Sequence, residues 1–341
     1  MITGHSSAAR TDSRFDILKF VMALMIVALH SMLWPDVLLP WLSIGVTVFF
    51  ILSSYLFFSK LNKLDSKEER RGALLHFIKR SGVLYLFWFV VLFVPNLMIR
   101  HWFADGWLNG IRQLAFGAVF GATFVASWFI SANVLGTCFI FYLRRFPVVG
   151  FIVSLALYLV CCASSSYYGA FPVFNEWLAK AFPGFTFYFS FPAAMLWIWM
   201  GERVSRIETA GRWQYWLVLL LVGAVMLWME YGIVKDMKWV RDSDTMLSLM
   251  IVCPALFMFV RSLPYISYPK SIVLRRASIV FYCVHATVAR LIVDHFRSLH
   301  QHEWWQGPFT FGVTVICCVI ATWLILELRQ RRFCGWLKYS Y

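Results

Sequence analysis

An apolar stretch over residues 15–34 carries three ionisable side chains, Asp16, Lys19 and His30. Each costs roughly 2.5–3.5 kcal/mol at mid-membrane unless it faces protein or water, so such groups mark function by default. Lys19 and His30 are eleven positions apart, which on a helix is three turns plus roughly 20°. Both therefore project from one face, about 16 Å apart along the axis, and Asp16 precedes Lys19 by three on the same stripe. The stripe runs from a cationic end to an imidazole, a group that accepts a proton from a weakly acidic hydroxyl or carries an acyl group transiently. The structural alternative is that Lys19 snorkels to headgroups and a neighbouring carbonyl satisfies His30.

A second stretch, 277–294, places His285 near its middle and Arg290 four residues before Asp294. Either His285 or Arg290 can bind a developing oxyanion or an anionic sugar. The competing reading is a structural ion pair between Arg290 and Asp294 on one helix face. Trp34, Trp41, Trp102, Trp107, Trp304 and Trp305 crowd one boundary, as belt residues or as platforms for sugars. The eight cysteines include no Cys-x-x-Cys and none lies in an outer loop, and there is no His-Glu-x-x-His, so neither a disulfide framework nor a metal site is expected.

The elements that hold these groups follow from composition. Of 341 residues, 61% are hydrophobic and 14% charged, with a mean hydropathy of +0.70. That excludes a water-soluble domain, for which about 25% charged residues is usual. We expect an all-α polytopic membrane bundle, one domain over residues 1–341. About ten transmembrane helices lie near 15–34, 41–58, 82–99, 128–143, 147–165, 184–200, 214–231, 244–260, 277–294 and 308–327. With the N-terminus inside, 22 basic residues fall on the cytoplasmic side and seven outside, leaving Lys19 and Arg290 within spans. This asymmetry puts both termini in the cytoplasm and explains the net charge of +14 without nucleic acid. Asp16 and Lys19 interrupt the first run and no small-residue cleavage site follows it, so it reads as a retained helix rather than a signal peptide. Residues 59–80 read as a charged cytoplasmic connection at the headgroups. Residues 100–127, rich in Trp, Phe and Gly, read as an interfacial or partly re-entrant outer segment. No internal repeat supports the inverted halves common in transporters.

Arg14-Phe15-Asp16-Ile17-Leu18-Lys19, then ten residues and His30, resembles the first helix of the membrane-bound acyltransferase family 3, whose signature there is Arg or Lys, ten residues, His. Gly45-Val46-Thr47-Val48-Phe49-Phe50-Ile51-Leu52-Ser53-Ser54-Tyr55-Leu56 resembles that family's Gly-Val-x-x-Phe-Phe-x-x-Ser-Gly-Tyr-Leu. Fainter echoes are Lys79-Arg80, Trp128-Phe129 and Ser278 to His285. The chain departs at Ser54 in place of the glycine and at Val83 in place of the second arginine of an Arg-x-x-Arg. A third departure is Asn133, at the acid position of a Trp-Ser-Leu-x-x-Glu found in members that modify lipopolysaccharide. The chain is more similar to short members, such as the O-acetyltransferases of enterobacterial common antigen and exopolysaccharides.

The resemblance implies a multi-pass enzyme of the bacterial cytoplasmic (inner) membrane. It would move an acyl group, usually acetyl from cytoplasmic acetyl-CoA, to a hydroxyl of a lipid-linked or cell-surface glycan, with no permanently bound cofactor. On that reading His30 is the catalytic residue. Arg14, Asp16, Lys19, Ser53, Lys79, Arg80, His285 and Arg290 bind donor or acceptor. Lys19 below His30 offers positive charge to the donor's phosphates, Asp16 orients Lys19, and Arg14, Lys79 and Arg80 either meet the phosphates or serve only as topology signals. The alternative is a glycan or lipid-carrier transporter in which His30, His285, Asp16 and Arg290 form a proton relay.

Overall fold

The computed structural model describes residues 12–31, 38–124, 126–298, 304–331 and 334–341. Arg10 and Trp34 lie outside the described residues. Within them there are thirteen α-helices and no strand: α1 (Ser13–His30), α2 (Leu39–Leu61), α3 (Lys67–Val91), α4 (Phe93–Arg100), α5 (Trp107–Phe120), α6 (Trp128–Leu143), α7 (Pro147–Ser164), α8 (Pro172–Ala181), α9 (Phe191–Val204), α10 (Trp213–Asp236), α11 (Leu249–Ser262), α12 (Ser271–Ser298) and α13 (Gln306–Leu328). Six of these, α2, α3, α7, α10, α12 and α13, are long and apolar enough to cross a membrane, and α6 and α11 are shorter apolar helices. The protein is a multi-pass helical bundle.

The bundle has an inner set and a rim. The apolar windows of α2 and α12 are 61% and 67% buried, whereas those of α3, α10 and α13 are 11%, 22% and 22% buried. Rim helices therefore turn Leu86, Val90, Val218, Leu221, Ile316 and Val319 outward, where in a bilayer only lipid can meet them. At the centre α1 packs between α2 and α12. It buries Met22, Ala23, Ile26 and Val27, and Gly45 of α2 lets the two backbones approach. A Cβ at position 45 would stand 2.9 Å from the Ile26 side chain and 3.0 Å from the Met22 carbonyl oxygen.

Several boundaries differ from the expected ones, each for a local reason. Ser66 and Glu69 form a reciprocal capping box, so α3 starts at Lys67 and most of the charged segment 59–80 is helix rather than connection. The run expected over 82–99 breaks after Leu92, and a separate helix follows with Pro95 in its first turn. The run over 184–200 becomes α-helical only at Phe191, after a 3₁₀ turn at Phe187–Phe189 and with Pro192 in the first turn, and the amphipathic α8 precedes it. The run over 244–260 becomes helical at Leu249, which leaves Asp244 in a loop. In the segment expected to lie outside, α5 exposes Trp107, Leu108, Ile111 and Phe116, as an interfacial helix would. The chain then returns inward, burying Thr123, Phe124 and Ser127. Trp102 is buried against Phe89 and Phe93, so it is a packing residue and not part of an aromatic belt.

Candidate functional site

α1 presents its polar stripe to two cavities at opposite ends of the bundle. The first, of about 740 Å³, lies at the end where α1 begins. Lys19 enters it from α1, Ser53 from α2, Lys79 and Arg80 from α3, and Asn133 from α6. Arg329 and Lys338 add two more cations from the end of the chain. The Asn133 amide donates to the Ser53 hydroxyl at 2.9 Å. Its carbonyl Oδ1, buried and without a partner, is left to accept a hydrogen bond. Val83 lines the same wall and brings no charge. The cations of this cavity can bind an anion beside the neutral Asn133–Ser53 pair.

The second cavity, of about 350 Å³, holds His30. Its roof is the loop 237–248, which brings Arg241, Asp242 and Asp244 to the imidazole's cavity. The loop is held by its own backbone: the Arg241 N–H donates to the Ser165 carbonyl at 3.1 Å, and the hydroxyls of Ser165 and Ser166 donate to the Asp242 carbonyl at 2.8 and 2.9 Å. Glu230, nearly two turns before the end of α10, accepts the Leu247 and Ser248 N–H groups, each at 2.7 Å, and so caps α11 with a negative charge. Ser43 of α2 donates to Asp244 Oδ1 at 2.9 Å, and the Asp244 N–H donates to Asp242 Oδ1 at 3.0 Å. Burial pushes both carboxyls above the usual carboxylate range, and for Asp244 the charge of Asp242 adds to it.

Among the described residues, Tyr282 of α12 is the one that lines both cavities. Its hydroxyl donates to the Ala126 carbonyl at 2.7 Å, and its ring packs on Phe129 with centroids 5.0 Å apart. Ala126 sits on the inward return after α5 with φ +68°, a left-handed conformation that a non-glycine residue adopts at a cost of order 1 kcal/mol or more. That return supplies both the anchor for Tyr282 and one wall of the His30 cavity. One turn on from Tyr282, the His285 ring lies 5.1 Å from the His30 ring, centroid to centroid. His285 Nδ1 is 2.8 Å from the Phe281 carbonyl oxygen, which can only accept, so the proton sits on Nδ1. Nε2 is then a buried lone pair without a partner.

The expected site residues thus divide. Lys19, Ser53, Lys79 and Arg80 meet in one cavity; His30 lines the other, with His285 against it. Arg14, Asp16 and Arg290 line neither. Arg14 pairs with Asp12 and donates to the carbonyls of Arg261 and Leu263, clamping the start of α1 to the connection before α12. Asp16 is held by Arg275 through two hydrogen bonds of 2.7 and 2.9 Å, so its direct partner is that arginine rather than Lys19. Arg290 pairs with Asp294 at 2.8 Å on the exposed face of α12, as the structural alternative had it. Among the described residues the two histidines adjoin each other, while Asp16 and Arg290 are paired elsewhere. Arg241, Asp242 and Asp244 do not stand out in the sequence, whereas Tyr282 lies in the stretch Ser278 to His285 that echoes the family. The only hint was the acidic pair Asp242-Ser243-Asp244 in a short segment between two apolar runs.

A family model described as an acyltransferase domain matches residues 12–323, nearly the whole chain. No curated protein and no solved structure matches significantly.

Proposed function

The chain belongs to acyltransferase family 3, and from that premise we propose that it takes an acetyl group from cytoplasmic acetyl-CoA and transfers it to a hydroxyl of a lipid-linked or cell-surface glycan in the bacterial inner membrane. The observation that carries this reading is that Lys19 and His30, on one helix, enter two different cavities with Tyr282 as their common wall. The cationic cavity suits a phosphate-bearing donor, and the basic residues of its end are those that the positive-inside rule assigns to the cytoplasm. The opposite cavity suits the acceptor: two carboxyls and an arginine can hydrogen-bond sugar hydroxyls beside an imidazole.

In the reaction a glycan hydroxyl loses its proton to His30 as its oxygen attacks the thioester carbonyl carbon. The carbon–sulfur bond breaks as the tetrahedral intermediate collapses, and the thiolate takes the proton, giving the ester and free CoA. An acyl-imidazole on His30 gives the same balance in two steps. His285, fixed by Phe281, backs the His30 ring and limits how it can turn. For the thioester to reach His30 the Tyr282 side chain must give way, because it stands between the two spaces.

Mass spectrometry of surface glycans tests the proposal. Cells carrying His30→Ala should lose the acetyl-ester signal while the protein stays in the membrane at normal abundance, since a methyl group replaces the base without introducing a charge. Undiminished acetylation in this variant would overturn the role of His30.

A further inference from the structure

We infer that Arg329 and residues 334–341 form part of the binding site for the nucleotide end of the donor, supplying phosphate-binding cations and an aromatic wall that α3 does not. The inference rests on the donor reading above. It begins from the short 3₁₀ turn Gly335–Ser340, in which residues three apart share a face. Leu337 and Ser340 form the buried face. The Trp88 indole N–H of α3 donates to the Ser340 carbonyl at 3.0 Å, and Trp336 packs on Phe87 with centroids 5.6 Å apart. The other face carries Lys338 and Tyr341, again three apart, and both line the 740 Å³ cavity with Tyr339 and Arg329. The turn is therefore folded back onto α3 so that its polar face looks into the space where Lys79 and Arg80 stand.

The groups on that face are also oriented. Arg329 hydrogen-bonds the Tyr341 hydroxyl and lies over its ring at 5.6 Å, while Arg276 lies over the same ring at 5.0 Å. A guanidinium held by one edge on an aromatic ring keeps its remaining N–H groups for an oxyanion, the fork geometry that binds phosphate in a bidentate manner. Lys338 sits 5.0 Å from the ring of Tyr339, which gives a cation beside an exposed π-face. Phosphates and a planar base are the two halves of a nucleotide, and a cavity of this volume accommodates a ligand of that size. Residues 329–341 lie beyond residue 323, where the family match ends, so this wall is not part of what the matched region shares.

Anionic lipid headgroups offer the same phosphate chemistry, and the test separates the two sources. Affinity for acetyl-CoA and for the phosphate-free S-acetylpantetheine would be measured by calorimetry on purified protein in nanodiscs of phosphatidylcholine, and again in discs containing phosphatidylglycerol. The variants are Arg329→Ala/Lys338→Ala, Arg329→Lys/Lys338→Arg and the unsubstituted protein. We expect the double alanine variant to lose about ten-fold or more in affinity for acetyl-CoA in both disc types. S-acetylpantetheine binding should stay unchanged, and the charge-conserving variant should recover most of the loss. Equal acetyl-CoA affinity in the double alanine variant and the unsubstituted protein would overturn the inference and leave the donor reading intact. So would an equal loss for both ligands, or a difference that phosphatidylglycerol abolishes, which would assign the wall to lipid. Failure of the unsubstituted protein to bind either ligand would overturn the donor reading, and this inference with it.

Discussion

Asp244 accepts a hydrogen bond from Ser43 but stands beside Asp242 in a loop that also faces His30, so its ionised form is opposed by burial first and by a like charge second. Its carboxyl is raised above the ordinary range, which makes the folded state hold a proton that the unfolded chain releases at about pH 4. The unfolded state thus binds fewer protons, and stability falls as pH rises from that value through the raised one. Asp244→Asn removes the charge and keeps the hydrogen bond. The variant should gain thermal stability over the parent as pH is raised from about 6 to about 9, by on the order of 2 °C, measured by unfolding in detergent. A constant gap across that range would mean that Asp244 ionises normally. This corner of the site was not legible in the sequence, because Asp242 and Asp244 lie more than 200 positions from His30. In a short segment between two apolar runs, moreover, carboxylates have solvation as their ordinary explanation. Lys19 and His30 were legible for the opposite reason: in an apolar run an ionisable group has few explanations other than use.

Helix existence was written in the long apolar runs, whereas helix ends were decided by short polar or proline signals that a hydropathy pattern averages away. Ser66 with Glu69 moved the start of α3 fifteen residues ahead of the apolar run beginning at 82, and in doing so carried Lys79 and Arg80 onto a rigid element facing the cavity. Close helix approach was equally hidden, since a glycine in an apolar run has many readings. At the crossing of α2 and α9 a Cβ on Gly201 would stand 2.5 Å from the Ile51 carbonyl oxygen and 2.8 Å from Ser54 Cβ. Ser54 there donates to the Ile198 carbonyl at 2.6 Å, so the serine found in place of the family's glycine is absorbed by the facing helix. Gly201→Ala should therefore cost about 1–3 kcal/mol. Gly82→Ala, on α3 with nothing within 4 Å of the added carbon, should be neutral or slightly stabilising. Thermal unfolding of the two variants in parallel checks the contrast, and equal melting temperatures would mean that the α2–α9 crossing can spread at little cost.

For the whole molecule the decisive relation is that the two cavities open toward opposite ends, which matters only if the membrane lies between them. Single cysteines at Asp65 and Asn109, both exposed, report the two faces, and Asp65 is chosen because Ser66 is needed as the cap of α3. With the eight native cysteines replaced, Asn109→Cys should react with an impermeant thiol reagent on intact cells, and Asp65→Cys only after lysis. The reverse pattern would turn the cationic cavity outward, away from any cytoplasmic donor. The ion pair that joins α1 to α12 carries a different consequence, one for how the protein is made. Asp16 and its partner Arg275 are 259 positions apart. At about 5–20 residues per second, roughly 13–50 s of translation separate them. Through that interval α1 lacks Arg275 as the partner of its buried carboxylate, and α12 has not been made to cover its central face. The helix that bears His30 is thus made well before it is seated, so a nascent chain interrupted before residue 275 holds the proposed catalytic imidazole without the neighbours that fix it.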